Sequence, residues 1–257
     1  MNKLLSIAKV QLMMRVTSTM WIFVVIIQPI LFLIMTLFIM DIEIRETYTM
    51  AAILGAGMMG TWSSILFSSG GDIDRERRWG TLEMIVGCPT PLWYIIGGKS
   101  LANGFAGIIS MTLSFLTALI FFDGRLSITN LFWFIIVLLL NIISLSSLGM
   151  IICTLFTISR AARGLMNLME NPIFLLCGIM FPITILPLWT RPFSYVLSLT
   201  WGIEGLRMAV MGIVDYQRFL FHILMIVLLT IVYLLISAKL FLIVEKKAKK
   251  EATLGVY

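Results

Sequence analysis

The stretch Phe193–Val214, FSYVLSLTWGIEGLRMAVMGIV, decides how many times this chain crosses a membrane. It is long enough for a transmembrane helix, which needs about 20 apolar residues to cross about 30 Å of hydrocarbon. Yet Glu204 and Arg207 stand in its middle, Gly202 and Gly205 flank the glutamate, and Pro187 and Pro192 lie just before it. The rest of the chain supplies the comparison. Five long apolar runs are clear, Met20–Met40, Tyr48–Ser69, Ile95–Phe122, Leu131–Ile158 and Phe219–Val244, and a sixth, Leu165–Leu186, is apolar apart from Glu170, Asn171 and its prolines. With these six spanning and a cytoplasmic N-terminus, 14 of the 19 Lys and Arg residues fall on the inner side and 5 on the outer, the bias expected of inner loops. A seventh span would carry Lys239 and the four C-terminal lysines outside, leave 10 against 8, and strand Arg207 at mid-bilayer at about 2.5–3.5 kcal/mol. Six spans are therefore expected. Residues 187–214 then read as an outer re-entrant region, in which Glu204 and Arg207 can pair at i,i+3.

Composition agrees with a membrane setting. Apolar residues make up 60% of the 257 and charged residues 12%, with a mean hydropathy of +1.03, against about 45–50% and 25% for globular chains. So few charges cannot cover the surface of a soluble domain of this size. A water-soluble globule, a disordered chain and a nucleic-acid binder are excluded, and the net charge of +6 reports sidedness rather than partner. The fold class expected is an all-α membrane protein: one domain over residues 1–257 with both termini cytoplasmic, in a plasma membrane of bacterial type. Residues 1–17 are expected as an interfacial N-terminal helix, without the features of a cleaved leader. Cys88, Cys153 and Cys177 lack paired or metal-ligand spacing and read as small apolar fillers. His222 is the single histidine, so no histidine metal cluster or proton relay is expected.

The most patterned inner segment is Gly71–Pro91, GDIDRERRWGTLEMIVGCPTP. Asp72 or Asp74 can cap a helix start, and Gly87, Pro89 and Pro91 stop it. Ile73, Leu82, Ile85 and Val86 are apolar, whereas Arg75, Glu76, Arg77 and Arg78 are charged. This describes a short amphipathic helix over residues 72–87, lying on the inner surface and tied to two spans. It could serve as a lever for another protein to push, or as an ordinary basic loop that holds topology.

Glu76-Arg77-Arg78-x-Gly80-Thr81-Leu82-Glu83, followed by Pro89-x-Pro91 and Gly98-Lys99, resembles the signature of ABC-2 type permeases, the membrane subunits of ATP-binding-cassette exporters for drugs and polysaccharides. The resemblance extends over nearly the whole chain. It implies that the inner helix is a coupling helix, with Arg75, Glu76, Arg77, Arg78, Gly80, Thr81, Leu82 and Glu83 contacting a separate ATP-binding subunit that carries ATP and Mg. It also implies a second permease, identical or related, with the pathway at their interface. Gly97-Gly98-Lys99-Ser100 ends like a phosphate loop, but Trp93 stands where that motif needs glycine. No carboxylate pair, nucleophile–base set or ligand cluster is evident, so the chain is expected to carry no catalysis and no cofactor of its own.

Within the spans, Ala52, Ala56, Gly60, Ser64 and Ser68, and again Ala102, Ala106, Ser110, Ser114 and Ala118, form small-residue ladders at i,i+4. Such ladders let helices approach closely; packing within one bundle is preferred over lining a pathway. Glu170, with Asn171 and Pro172 behind it, is the one acid inside a span, a candidate for a structural or gating kink. Asn141 reads as interhelical glue. Pro182, Pro187, Glu204 and Arg207 are candidates for an external gate. An autonomous ion-coupled transporter or channel is the alternative; it would call for several ionisable groups at mid-bilayer.

Overall fold

In hydrocarbon a chain must satisfy its own backbone N–H and C=O groups, which leaves these apolar runs the α-helix. Every regular element among the described residues is helical. The computed structural model describes residues 3–16, 19–39, 42–81, 84, 87, 92–121, 128–158, 162–179 and 183–251. Helix α1 (Lys3–Val16) is followed by α2 (Thr19–Ile22), which passes through a π-helical turn (Phe23–Ile27) into α3 (Gln28–Ile39). Then come α4 (Ile42–Arg78), α5 (Leu92–Phe121), α6 (Leu131–Ile158) and α7 (Ala162–Leu176). A 3₁₀ turn (Ile183–Ile185) leads to α8 (Arg191–Val196), α9 (Ser198–Met211) and the long α10 (Tyr216–Glu251).

Among the described residues, four helices are long and apolar enough to cross a membrane: α4 over Thr49–Ser69, α5 over Trp93–Phe121, α6 over Leu131–Phe156 and α10 over Tyr216–Val244. The first expected span is helical from Thr19 to Ile39, with its apolar part at Phe23–Thr36 broken by the π turn. The fifth differs from expectation. Instead of running from Leu165 to Leu186, α7 stops at Leu176, and Gly178 takes φ +70° just beyond it. A left-handed glycine ends a helix however apolar the residues beyond it are. The 15 residues of α7 reach about 22 Å at 1.5 Å per residue, short of the hydrocarbon thickness.

Helices α4, α6 and α10 run in one direction and α5 in the other, so the bundle has two ends. The end of α4 and the start of α5 define the Lys99 end; the end of α5, the start of α6 and the start of α10 define the Thr129 end. At the latter, Thr129 and Asn130 donate backbone N–H groups to Val210 O (3.2 Å) and Ala209 O (3.1 Å), satisfying carbonyls that α9 leaves open. Asp215 caps α10, its Oδ1 accepting from Gln217 N (2.9 Å) and Arg218 N (3.1 Å). Well inside α10, Tyr233 Oη accepts from Ser198 N (3.2 Å) and donates to Val196 O (2.6 Å), which holds the start of α9 along the side of α10.

Helix α4 is the hub and packs most closely on α5. The two small-residue ladders are buried between these and neighbouring helices of the same chain, as bundle packing requires. A Cβ added at Gly60 would sit 2.5 Å from Pro29 Cγ and 2.7 Å from Ser110 Cβ. Glycine is what lets three helices meet there. Side-chain hydroxyls bind across the same seams, Ser64 Oγ to Asn103 O (3.3 Å) and Ser110 Oγ to Val25 O (2.9 Å). Asn141 is fully buried against Gly202, with its amide nitrogen 4.0 Å from Met58 Sδ, so it joins α6 to α9 and α4.

Candidate functional site

The expected start of a separate helix at Asp72 or Asp74 is not seen. Both lie within α4, which carries its span onward without a break to Arg78. The reason is tertiary. Asp72 is 4% exposed and is held from three elements rather than capping one. Its Oδ2 accepts from Gln11 Nε2 of α1 (2.6 Å) and Asn103 Nδ2 of α5 (3.4 Å), while Oδ1 pairs with Arg75 one turn on. Arg75 in turn lies over the Trp79 ring, 5.6 Å from its centroid, a cation–π arrangement.

Glu76 repeats the pattern on the next turn. Its Oε1 accepts from Lys99 Nζ of α5 at 2.6 Å, and its Oε2 accepts from Thr81 Oγ1. Burial alone would raise this carboxyl, but the hydrogen bonds from Lys99 and Thr81 and the Lys99 charge outweigh it, holding the group below its ordinary range.

The helix ends by a definite device. Gly80 has φ +68°, and the Thr81 N–H reaches back to Glu76 O at 3.0 Å. That is the six-to-one bond of a Schellman stop, which needs glycine in the left-handed position. Within the motif Glu76–Thr81, therefore, Gly80 stops the helix, Thr81 closes the stop twice over, and Glu76 ties the stop to α5. Arg75, Arg77 and Arg78 belong to the last turns of α4. The indole of Trp79 is 60% exposed at this end. Leu82 and Glu83 lie outside the described residues, as do Pro89 and Pro91.

A second polar group joins three helices nearer mid-bundle. Glu170 Oε1 of α7 accepts from Ser63 Oγ of α4 (2.6 Å) and from Gln28 Nε2 at the start of α3 (3.0 Å). Asn171 and Pro172 are exposed, and α7 continues through Pro172 to Leu176. At the Thr129 end, Arg207 Nη1 pairs with Glu204 Oε1 at 2.9 Å, the i,i+3 contact that the sequence suggested. Its Nη2 donates to Gly178 O (2.9 Å) and Ile179 O (3.2 Å), fastening α9 to the end of α7. Pro187 forms a turn, its carbonyl accepting from Thr190 N (3.0 Å) and Thr190 Oγ1 (2.8 Å). Pro182 lies outside the described residues.

The structure thus keeps the candidates in three separate groups: Arg75–Thr81 at the Lys99 end, Glu170 between α3, α4 and α7, and Glu204 with Arg207 toward the Thr129 end. Gln11, Asp72, Asn103, Gln28 and Ser63 complete these groups, and no motif in the sequence marks them as site residues. Polar residues inside or beside apolar runs are the signal that could have found them.

An all-helical bundle with four apolar spans and a polar clasp at one end is a multi-pass membrane protein. Residues 3–211 match the family model for the ABC-2 type transporter. The chain belongs to that family, as a membrane permease of an ABC-type transporter. A search of curated proteins found no match.

Proposed function

We propose that this chain is the permease half of an exporter: two permeases form the pathway, and a separate ATP-binding subunit, carrying ATP and Mg, docks on the segment Arg75–Glu83. All chemistry then belongs to that subunit. The observation that carries this reading is the clasp around Asp72 and Glu76. A lever transmits force only if its pivot is stiff, and the end of α4 is bound to α1 through Gln11 and to α5 through Asn103 and Lys99. A push on the segment beyond Gly80 would therefore move three helices together.

In this reading the Lys99 end is cytoplasmic, the chain has six spans with both termini inside, residues 187–214 form an outer re-entrant region, and the stretch 182–211 serves as the external gate. The short α7 with α8 and α9 behind it supports a re-entrant arrangement. Among the described residues the four candidate spans contain no acidic side chain, which weighs against an autonomous ion-coupled carrier. The test is co-purification of the chain with its ATP-binding subunit. Substitution of Gly80 together with Glu83 should weaken both the association and the transport-dependent ATPase activity. Unchanged association and activity would refute docking at this segment.

A further inference from the structure

Between α8, α9 and the first turns of α10, at the Thr129 end, lies a cleft of about 540 Å³, a size usual for small-ligand sites. Its floor is aromatic. The Trp201 ring meets Tyr195, Phe221 and His222 at centroid distances of 5.5, 5.6 and 5.3 Å.

The polar groups on the cleft are not equivalent. Glu204 is already neutralised by Arg207, and Arg191 is occupied by the carbonyls of Leu186 (3.2 Å) and Thr184 (2.8 Å). Arg218 lines the cleft, and among the described residues its guanidinium has no partner. One turn further along α10, His222 donates Nδ1–H to Arg218 O at 2.7 Å, because a carbonyl can only accept. That leaves Nε2 for the cleft. A free guanidinium and an imidazole nitrogen thus stand at i,i+4 on one face, over an apolar floor. The adjoining segment exposes Ile185, Leu188, Trp189 and Phe193 at 72, 75, 74 and 63%, an apolar skirt beside a positive pocket.

We propose that this cleft binds an anionic amphiphile, with its phosphate on Arg218, a head-group hydroxyl donating to His222 Nε2 and its chain over the Trp201 floor. Arginine presents a planar fork that matches phosphate oxygens, and the skirt supplies what a water-soluble phosphate would not use. Membrane lipid and exported amphiphile share this chemistry. The inference does not depend on ATPase docking or on which end of the bundle is cytoplasmic.

The test uses the full chain in neutral detergent, titrated with dioleoyl phosphatidylglycerol, with dioleoyl phosphatidylcholine, and with glycerol phosphate, bound molecules being counted by native mass spectrometry. Phosphatidylglycerol should be retained about tenfold more tightly than phosphatidylcholine, and the double variant Arg218→Gln, His222→Leu should lose that preference. Lys239→Gln, an exposed cation farther along α10, should keep it. Arg218 is exposed, so Arg218→Gln alone is expected to fold and elute as native, and it should lose most of the preference by itself. Retention of the native preference by either Arg218 variant would overturn the proposal. So would an equal loss in Lys239→Gln, which would mean diffuse charge, or full displacement of the lipid by glycerol phosphate, which would mean a site for free phosphate esters.

Discussion

Replacing Gly80 by alanine tests the helix stop with few competing effects. A Cβ at this position would meet nothing within 4 Å, so no steric clash contributes. What remains is the backbone. Gly80 sits at φ +68°, and an L-residue held in that region costs about 1–2 kcal/mol. The bond closed by this conformation, Thr81 N to Glu76 O at 3.0 Å, should open more often by the same free energy, about 5- to 30-fold. Hydrogen exchange of the Thr81 amide, followed by mass spectrometry on the purified chain, reads that ratio directly. Gly80→Asn should fall between glycine and alanine, since asparagine tolerates the left-handed region. Unchanged exchange in Gly80→Ala, or equal damage from alanine and asparagine, would refute the idea that backbone conformation sets the stop.

The remaining predictions concern packing, charge and buried polarity. Gly60→Ala should destabilise by about 1–3 kcal/mol through overpacking against Pro29 and Ser110. Gly71→Ala, whose Cβ would meet nothing within 4 Å inside α4, should stabilise by about 0.5–1 kcal/mol; thermal melts in detergent separate the two signs. Because Glu76 titrates below its ordinary value, its tie to Lys99 contributes stability above the unfolded-state pKa of about 4.3 and loses it as pH falls through the lower folded value. Glu76→Gln should flatten that part of the stability profile between pH 5 and the acid limit, measured as Tm against pH. Glu170→Gln keeps an acceptor for Ser63 and Gln28 and should lie within about 0.5 kcal/mol of native, whereas Glu170→Leu strips both donors and should cost about 1–2 kcal/mol. Equal losses in the two variants would mean that the charge, not the hydrogen bonding, matters there.

Those parts of the fold written in local pattern were legible in the sequence. The spans of α4, α5, α6 and α10 follow apolar runs, and the Glu204–Arg207 pair follows from spacing along one helix. What escaped depends on partners far away in the chain. Asp72 carries the same local signal whether it caps a new helix or is buried inside an old one, and only Gln11 and Asn103, 61 and 31 residues distant, distinguish the cases. Likewise, apolarity continues past Leu176, but Gly178 in the left-handed region and the hold of Arg207 on its carbonyl end α7 early. The π turn at Phe23–Ile27 has no compositional mark among β-branched and aromatic residues. In the candidate site, the motif Glu76–Thr81 was visible as a pattern. Its physical content, a capped helix end pinned to α5, needed the position of Lys99 in space.

Docking of a separate ATP-binding subunit at the Lys99 end, as proposed, is tested most directly by crosslinking. Trp79 and Trp189 provide matched positions, 60 and 74% exposed and at opposite ends of the bundle. A photo-crosslinking amino acid is placed at one or the other in membranes that contain the co-expressed subunit. Crosslinks to the subunit from position 79 and none from position 189 are predicted; crosslinks from 189, or none from 79 in an assembled complex, would rule out docking at the Lys99 end.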